Sequence, residues 1–396
     1  MSRLTRRDFL RGGAAFLGLS LLGCSRSLPL SLPATREAPT SPPQPKDERL
    51  RIGYLPITDA SALLIADALG YYKAEGLQPE PLILFRGWSQ IAEAFQAGQV
   101  DVIHLLMPAA VWMRYFRRFP VKVVAWNHVN GSAFTVRNNL QSLEELAGQA
   151  VAIPFWYSIH NVVLQTLLRK AKLEPVLGGT GSLNDRQVRL LVMNPPDMLP
   201  ALAGGQIAGY IVADPFNALA EVKGVGRVFR FTGDVWRDHA CCVVAMREED
   251  LEERPEWAQA VIRAVVRAQL WLRANRHEAP QVLSRYLPHP VEAIAKVFNA
   301  PLEPYVAAGA IRNVQWQPRW IDFQPYPYPS YTAALVQALQ QTAVEGEVEF
   351  LKGLDPTWVA RDLVEDRFVR RAVEEAGGPS VFDQPASWER EEAIDA

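Results

Sequence analysis

The chain has 396 residues, of which 49% are hydrophobic, and its formal net charge is −2. This length and apolar fraction are sufficient for a large core divided between two domains. The near-neutral charge excludes the basic surface that a nucleic-acid-binding protein needs, and three cysteines exclude a disulfide framework as the main source of stability.

The N-terminus predicts an export signal. The stretch TRRDFLRGG, residues 5–13, carries the paired Arg6 and Arg7, and an apolar run that ends in LLGC follows it. A basic start, a short apolar run and small residues are typical of secretory signals. The pattern resembles a twin-arginine signal with a lipobox. We expect residues 1–23 to be cleaved and Cys24 to be acylated; an uncleaved anchor is the alternative, and both place the mature chain outside the cytoplasm.

Residues 24–48 are predicted to form an extended tether. Six prolines occur between residues 25 and 47, and no hydrophobic periodicity accompanies them. Such a composition favours an extended linker over a packed element. Together with a lipid on Cys24, the tether predicts a protein held at a membrane surface.

Strands and helices alternate from residue 49 onwards. Short apolar, β-prone runs predict strands at residues 50–56, 79–85, 100–106 and 121–129. Helical stripes lie between them, the first capped by Thr58 or Asp59. This alternation predicts a parallel sheet that is covered by helices on both faces.

A second α/β unit is predicted after residue 149. Its strands are expected at residues 150–158, 188–193 and 207–216, and helices lie between them. The helix predicted over residues 255–276 has an apolar stripe that faces the core. Residues 323–331 are expected to form a rigid connection. The tail after Gly377 is expected to fray. The predicted organisation is lobe 1 over residues 49–136 and 243–345, lobe 2 over residues 137–242, and C-terminal helices and tail over residues 346–396.

Polar side chains are concentrated where the predicted strands end. Ligands of open parallel sheets bind at the carboxyl ends of strands, and hydrogen-bond donors near helix N-termini favour a small anion. The predicted ligand-binding residues are Thr58, Asp59, Trp88, His128, Ser132, Ser158, His160, Asp214, His239 and Cys242.

Several of these residues also have a purely structural interpretation. His160 either reaches the cleft or caps a helix, and Trp88 either stacks on the ligand or plugs the hinge. His104 is predicted to be a core histidine. Cys241 and Cys242 are adjacent, so a bridge between them is geometrically difficult. We expect Cys242 to face the cleft with Cys241 packed behind it; the alternative is that both are core residues.

Enzyme and metal chemistry are not favoured by the local spacing. Cys242 with His160 or His239 is a possible nucleophile–base pair, but no third orienting group accompanies it. His239, Cys241 and Cys242 lack the C-x₂-C spacing of zinc sites. No metal, cofactor or catalytic residue is therefore predicted, although a Cys/His-dependent enzyme acting on a small molecule outside the cell remains an alternative.

Five motifs together resemble the nitrate- and bicarbonate-binding lipoproteins of bacterial ABC importers, which belong to the nitrate/sulfonate/taurine class. The motifs are GYLPITDASALLIADALGYYKAEGL, GQVDVIHLLMP, PFWYSIHNVVLQTLLR, PPDMLPALAGGQIAGYIVADPFN and DVWRDHACC. The resemblance implies a type II periplasmic-binding-protein fold, α/β and two-lobed, in which each lobe is a mostly parallel sheet flanked by helices. It also implies a binding protein without catalytic activity.

The resemblance also suggests how a ligand would be held. Trp88 and His160 match the tryptophan and histidine with which the nitrate binders hold their anion. Ser132 stands in the place of their glutamine, and Cys242 in the place of their lysine. A fixed ammonium contributes strongly to anion binding in a dry pocket, so its replacement by Cys242 counts against nitrate.

The predicted function is that of a lipid-anchored substrate-binding protein, a monomer on the periplasmic side of a bacterial membrane. Its expected partners are a small-molecule ligand, an ABC permease and, through Cys24, the membrane. The candidate ligands are nitrate, nitrite, bicarbonate or an organic sulfonate, and the alternative within binding proteins is a pyrimidine precursor of thiamine.

Overall fold

The computed structural model describes residues 48–316 and 319–395. The predicted signal, most of the predicted tether and Cys24 lie outside these residues. Within the described residues, no helix combines the length and apolarity needed to cross a membrane. The strands are β1 (Arg49–Leu50), β2 (Ile52–Tyr54), β3 (Gln78–Pro79), β4 (Ile83–Leu84), β5 (Val102–Leu106), β6 (Val121–Trp126), β7 (Val129–Asn130), β8 (Ser132–Val136), β9 (Ala150–Ile153), β10 (Glu174–Leu177), β11 (Gln187–Val192), β12 (Gly209–Ala213), β13 (Arg227–Phe231), β14 (Cys242–Arg247) and β15 (Ile321–Asp322).

Helices cover the sheets and form the C-terminal part of the described chain. Long α9 packs against α1 and α16, and α13 packs against α15. The helices are α1 (Ser61–Ala68), α2 (Tyr71–Ala74), α3 (Trp88–Gln96), α4 (Met107–Val111), α5 (Ile159–Lys170), α6 (Pro195–Ala203), α7 (Phe216–Val222), α8 (Glu248–Glu253), α9 (Pro255–Ala274), α10 (Ala279–Leu283), α11 (Val291–Asn299), α12 (Glu303–Ala307), α13 (Pro329–Gln340), α14 (Glu349–Lys352), α15 (Pro356–Leu363) and α16 (Arg367–Glu375).

Two larger sheets carry the fold. The first sheet has five strands in the order β4-β2-β5-β14-β6, and the second has six in the order β10-β11-β9-β12-β8-β13. Strand β14 runs antiparallel to both of its neighbours in the first sheet, and β8 does the same in the second. The other pairings within these sheets are parallel. The prediction of two mostly parallel sheets flanked by helices is therefore confirmed, while the lobe boundaries stay predictions.

The chain passes between the two sheets twice. The outgoing crossing, residues 127–131, joins β6 to β8, and the return crossing, residues 232–241, joins β13 to β14. Because β8 and β14 are antiparallel to their neighbours, both crossings connect the carboxyl edge of one sheet to that of the other. The loops after β2, β9 and β12 open on the same edges, so the topology gathers the predicted ligand residues there.

The two crossings contact each other closely. Gly131 has a φ of +75°, which glycine adopts readily and larger residues rarely do. Gly233 of the return crossing has no room for a side chain, since a Cβ there would collide with Asn130 of the outgoing crossing. The Asn130 N–H also donates a hydrogen bond to the His239 carbonyl of the return crossing at 2.9 Å.

The C-terminal tail differs from the sequence prediction. Instead of fraying after Gly377, it forms a 3₁₀ turn at Pro379–Phe382 and then an isolated bridge between Ile394 and Trp236. The Trp236 indole N–H donates to Glu392 at 2.9 Å, and the Asp395 N–H donates to the Val235 carbonyl at 2.8 Å. The prediction of a frayed tail was wrong because these polar contacts leave no periodic signal in the sequence.

Candidate functional site

Six polar side chains meet where the two crossings pass each other, and we call them the crossover cluster: Asp59, His128, Ser132, His160, Cys241 and Cys242. Each of them is at most 1% exposed. Asp59 lies in a 3₁₀ turn after β2 and His128 in the outgoing crossing, whereas His160 begins α5 on the second sheet. The cluster therefore draws on both sheets and on both crossings.

Backbone hydrogen bonds fix the cysteine pair. The Cys241 carbonyl accepts the N–H of Met107 at 3.0 Å, and the Cys242 carbonyl accepts the N–H of Asn127 at 3.1 Å. Cys242 also pairs with Leu106 as the first residue of β14. The segment is thus held between β5 and β6, and neither thiol is free to move far.

Both thiols face the cluster. The two Sγ atoms are 3.9 Å apart, and Cys241 Sγ lies 3.7 Å from His160 Nε2. Cys242 Sγ lies within 4.8 Å of a ligand atom of Asp59 and of His128. The expectation that Cys241 packs behind Cys242 is therefore corrected: the strand begins at Cys242, and the bend before it turns both side chains to the same place.

His160 and Ser132 close the cluster from the second sheet. Ser132 Oγ lies 2.9 Å from His160 Nε2. The His160 ring is at the second position of α5, and Ser158 caps that helix by accepting the Asn161 N–H at 3.1 Å. Ser158 is thus used as a helix cap, which leaves His160 as the residue of this motif that reaches the cluster.

Asp59 and His128 form a buried pair. His128 Nε2 lies 2.8 Å from Asp59 Oδ2, and the Cys242 N–H points to the same nitrogen at 3.3 Å. Neither carboxylate oxygen of Asp59 has a hydrogen bond of good geometry among the described residues. A buried carboxylate without donors costs on the order of 1–3 kcal/mol or more, so the Asp59 side chain needs a positively charged or donor group that the chain only partly supplies.

Burial and neighbouring charges shift the pKa values of the cluster. Burial raises the pKa of Asp59 to about 7. Burial also acts to lower the pKa of His128, but the Asp59 carboxylate outweighs it and raises that pKa to about 10. Burial opposes a thiolate at Cys241, yet the Cys242 thiol and the His160 ring hold its pKa well below the ordinary value. Burial and Cys241 raise the pKa of the Cys242 thiol well above it.

Two more histidines border the cluster as neutral rings. His104 Nε2 accepts the Leu55 N–H at 2.8 Å, and Trp88 packs on the same ring at 5.4 Å between centroids. His239 Nε2 lies 2.8 Å from the Thr232 hydroxyl, whose proton is donated to the Ser132 carbonyl. Burial lowers the pKa of both His104 and His239 to about 3.

Thr58 and Asp214 join the two sheets rather than entering the cluster. The N–H and the hydroxyl of Thr58 both donate to the Asp214 carbonyl, at 2.7 and 3.1 Å. The Asp214 carboxylate accepts the indole N–H of Trp320 at 2.5 Å and the N–H of Ala218 at 3.2 Å. Trp320 was not selected by the sequence analysis. Its indole N–H donates to Oδ2 of Asp214, whereas the Ala218 N–H donates to Oδ1.

Other cavities do not contain these residues. A surface groove of about 950 Å³ is lined by residues that include Trp316, Arg319, Asp322 and Gln324, and by none of the ten predicted ligand residues. The side chains of the crossover cluster are, by contrast, buried.

Comparisons with known proteins agree with this architecture. A family model described as the NMT1-like family matches residues 43–286. The chain belongs to the NMT1-like family. Its similarity to a nitrate/nitrite binding protein, NrtA, of Nostoc sp. is 26% identity over 304 residues, which cover 68% of this chain and 67% of that protein.

Solved structures share the fold of this family member. The periplasmic nitrate-binding protein NrtA of Synechocystis superposes with a TM-score of 0.72 at 20% identity, covering 88% of this chain and 94% of that one. The ligand-binding component of an ABC-type import system from Staphylococcus aureus, with zinc bound, gives 0.65 at 22% identity, covering 82% and 98%. The predicted type II periplasmic-binding-protein fold and the resemblance to the nitrate/sulfonate class of import proteins are confirmed.

Proposed function

We propose that this protein captures a small polar solute for an ABC importer by closing its two sheets over the crossover cluster. The observation that supports the proposal is the origin of the cluster, because its side chains come from both sheets and from both crossings. A solute held there contacts both sheets at once and so binds the closed arrangement more tightly than an open one. A membrane permease that recognises the closed arrangement then receives loaded protein.

The charge of the cluster selects against a free anion. The resemblance to the nitrate binders suggests that Cys242 stands where those proteins have a lysine. A ligand atom of Asp59 lies within 4.8 Å of the Cys242 sulfur. The only group here with a raised cationic pKa is His128, which Asp59 already pairs. Within the described residues, no lysine or arginine hydrogen-bonds to the cluster, so nitrate or a sulfonate would meet a carboxylate without a fixed counter-charge.

Solute binding is tested by thermal shift and small-angle scattering on the purified chain. The panel contains nitrate, nitrite, bicarbonate, ethanesulfonate, a methylpyrimidine and divalent cations. A solute that binds only the folded chain raises its stability by about 2.7 kcal/mol at a hundredfold excess over Kd. We expect one chemical class of solute in this panel to raise the melting temperature of the protein and to decrease its radius of gyration.

Matched variants distinguish binding at the crossover cluster from binding at the protein surface. Ser132→Ala and His160→Gln are expected to reduce the shift, whereas Ser182→Ala and His277→Ala change exposed residues and leave it intact. Conversion of the bound solute to a product, lost in Cys242→Ser, would instead favour the Cys/His enzyme. A solute that stabilises the chain without compaction would contradict closure.

Membrane attachment through Cys24 is the second part of the proposal. It is supported by the LLGC motif at residues 21–24 and by the proline-rich stretch that follows. Mass spectrometry of protein from membranes is expected to show a mature chain that begins at an acylated Cys24. Cys24→Ala should release the protein from the membrane fraction, and retention of that variant would support the uncleaved anchor.

A further inference from the structure

Four donor side chains of the crossover cluster are close enough to share one ion. The ligand atoms of Asp59, His128, Cys241 and Cys242 all lie within 4.8 Å of one another, and all four residues are fully buried. The set contains two sulfur atoms, one imidazole nitrogen and one carboxylate. The chain is folded so that three segments distant in sequence supply them.

The distances fit tetrahedral coordination. Zinc–sulfur bonds of about 2.3 Å at tetrahedral angles place two sulfur atoms about 3.8 Å apart, and the two Sγ atoms are 3.9 Å apart. Zinc–nitrogen and zinc–oxygen bonds of about 2.0–2.1 Å place those atoms about 3.4 Å apart. His128 Nε2 and Asp59 Oδ2 are 2.8 Å apart, so this pair has to open by only about half an ångström.

The buried Asp59 carboxylate points independently to a cation. Both oxygens of Asp59 are buried and lack a hydrogen bond of good geometry among the described residues. In the metal-free chain the His128 imidazolium balances part of the charge at Oδ2, but Oδ1 has no hydrogen-bond partner in the part of the chain that the structure describes. A metal ion would take the place of the His128 proton and bind the carboxylate and the imidazole together.

We propose that Asp59, His128, Cys241 and Cys242 form a binding site for a thiophilic divalent cation of the zinc type, and that this cation is the solute of the proposed binding protein. This inference rests on the proposed function. Ions such as Mg²⁺ and Ca²⁺ are disfavoured because they take oxygen ligands, and only one of the four side chains provides oxygen. Binding releases to solvent the remaining thiol protons and the proton on His128 Nε2, because each ligand atom must be deprotonated to coordinate the metal.

Local spacing alone does not reveal this site. The adjacent cysteines and His239 lack a zinc-binding spacing, and the structure indeed engages His239 with Thr232 instead. Asp59 and His128 are the proposed ligands instead of His239, because the loop after β2 and the outgoing crossing bring them to the cysteines at the start of β14. His160 lies 3.7 Å from Cys241 Sγ and is positioned to donate to that sulfur when it is a thiolate.

The test uses the full chain with Cys24→Ser, which leaves Cys241 and Cys242 as the two thiols. The protein is reduced, treated with a chelator and checked for two titratable thiols. Zn²⁺ affinity is measured by competition with a chromophoric chelator, and Co²⁺ serves as a probe because coordination by thiolate gives a charge-transfer absorption band. We expect one ion per chain, a thiolate–Co²⁺ band and a decreased radius of gyration with Zn²⁺.

Variants at the cluster distinguish this site from adventitious binding. Cys241→Ser and Cys242→Ser are each expected to weaken Zn²⁺ binding by at least about 100-fold and to diminish the Co²⁺ band. Asp59→Asn, which keeps the shape, should weaken binding while the band persists. His277→Ala removes an exposed histidine and should change neither.

The outcomes separate this inference from the proposed function. Absence of the Co²⁺ band in a folded, reduced chain, tight binding that survives both cysteine substitutions, or ion binding without compaction overturns the cation as solute. If nitrate, bicarbonate or a sulfonate nevertheless stabilises and compacts the chain, the proposed function stands and only the inference fails. If neither cations nor the other solutes bind, both fail.

Discussion

Asp214 gives a prediction that tests the reasoning about buried charge at the junction between the sheets. Its carboxylate is fully buried, between the indole of Trp320 and the N–H of Ala218, and burial raises its pKa to about 7. In the unfolded chain an aspartate titrates near pH 3.9. Between these two values the native chain holds a proton that the unfolded chain has released, so stability contributed by the protonated form is lost as the pH rises.

The size of the effect follows from the two pKa values. Each pKa unit corresponds to about 1.4 kcal/mol, and the linkage relation gives a loss of about 2.5 kcal/mol between pH 5 and pH 8 from Asp214 alone. The variant Asp214→Asn keeps the shape of the side chain but has no proton to lose. Relative to wild type, its free energy of unfolding should therefore increase by about 2.5 kcal/mol across the same interval.

Urea denaturation at pH 5, 6, 7 and 8 measures this difference. Other buried groups also titrate, and those that do not interact with Asp214 cancel in the comparison. The Asp59 carboxylate raises the pKa of Asp214, so Asp214→Asn in the background of Asp59→Asn is measured alongside. The control is Asp197→Asn, whose carboxylate is 53% exposed, and it should run parallel to wild type. Parallel profiles for Asp214→Asn and wild type would refute the assignment of a raised pKa to the Asp214 carboxylate.

Three further substitutions test the site and its support. Cys242→Lys should abolish stabilisation by Zn²⁺ and introduce stabilisation by nitrate in a thermal-shift assay, and an unchanged ligand preference would count against a role for Cys242 in the site. Ser158→Ala removes the cap of α5 and should lower the free energy of unfolding by about 1 kcal/mol in urea denaturation, with Ser182→Ala as the unaffected control. Gln165→Leu removes both side-chain hydrogen bonds to the backbone of Ala343 and should cost about 1–3 kcal/mol in the same assay; no loss would show that these bonds are not needed.

Much of the architecture is predictable because it is encoded locally. The apolar runs at residues 100–106 and 121–129 coincide closely with β5 and β6, and the strand predicted at residues 150–158 begins at the first residue of β9. The pattern of alternating helices and strands was therefore sufficient for the fold class. The motif around His160 was also informative, since a serine cap fixes which residue of YSIHN faces inward.

The antiparallel strands were the least predictable elements. Strand β8 carries Ser132 and Thr135 among apolar residues, although both of its faces are buried. Its neighbour β13 contains Arg230, which is 2% exposed because it pairs with Asp234 at 2.9 Å. Buried polar and charged side chains interrupt the apolar run that normally identifies a central strand. The positions of β8 and β13 therefore depend on the strands and side chains with which they pair, and not on their local composition.

The composition of the site depends on the same long-range pairing. Asp59 and Cys242 are separated by most of the folded chain, and only the register of β14 against β5 brings them together. A sequence pattern can therefore select Asp59, His128 and Cys242 individually as polar residues at strand ends. It cannot show that these side chains and Cys241 converge within 4.8 Å of one another, which is the observation that distinguishes a cation site from a set of core residues.

Enclosure of the cluster links binding to motion. Asp59, His128 and the cysteines belong to the first sheet and the crossings, whereas Ser132 and His160 cover them from the second sheet. A solute cannot reach fully buried donors unless the sheets separate, so entry requires the open arrangement and retention requires the closed one. The two crossings are the covalent connections about which that separation would turn, and the cluster lies on them. Under the proposed function, a small displacement at the crossings would change the distance between His160 and Cys241, and occupancy of the site and closure of the sheets would then form a single coupled equilibrium.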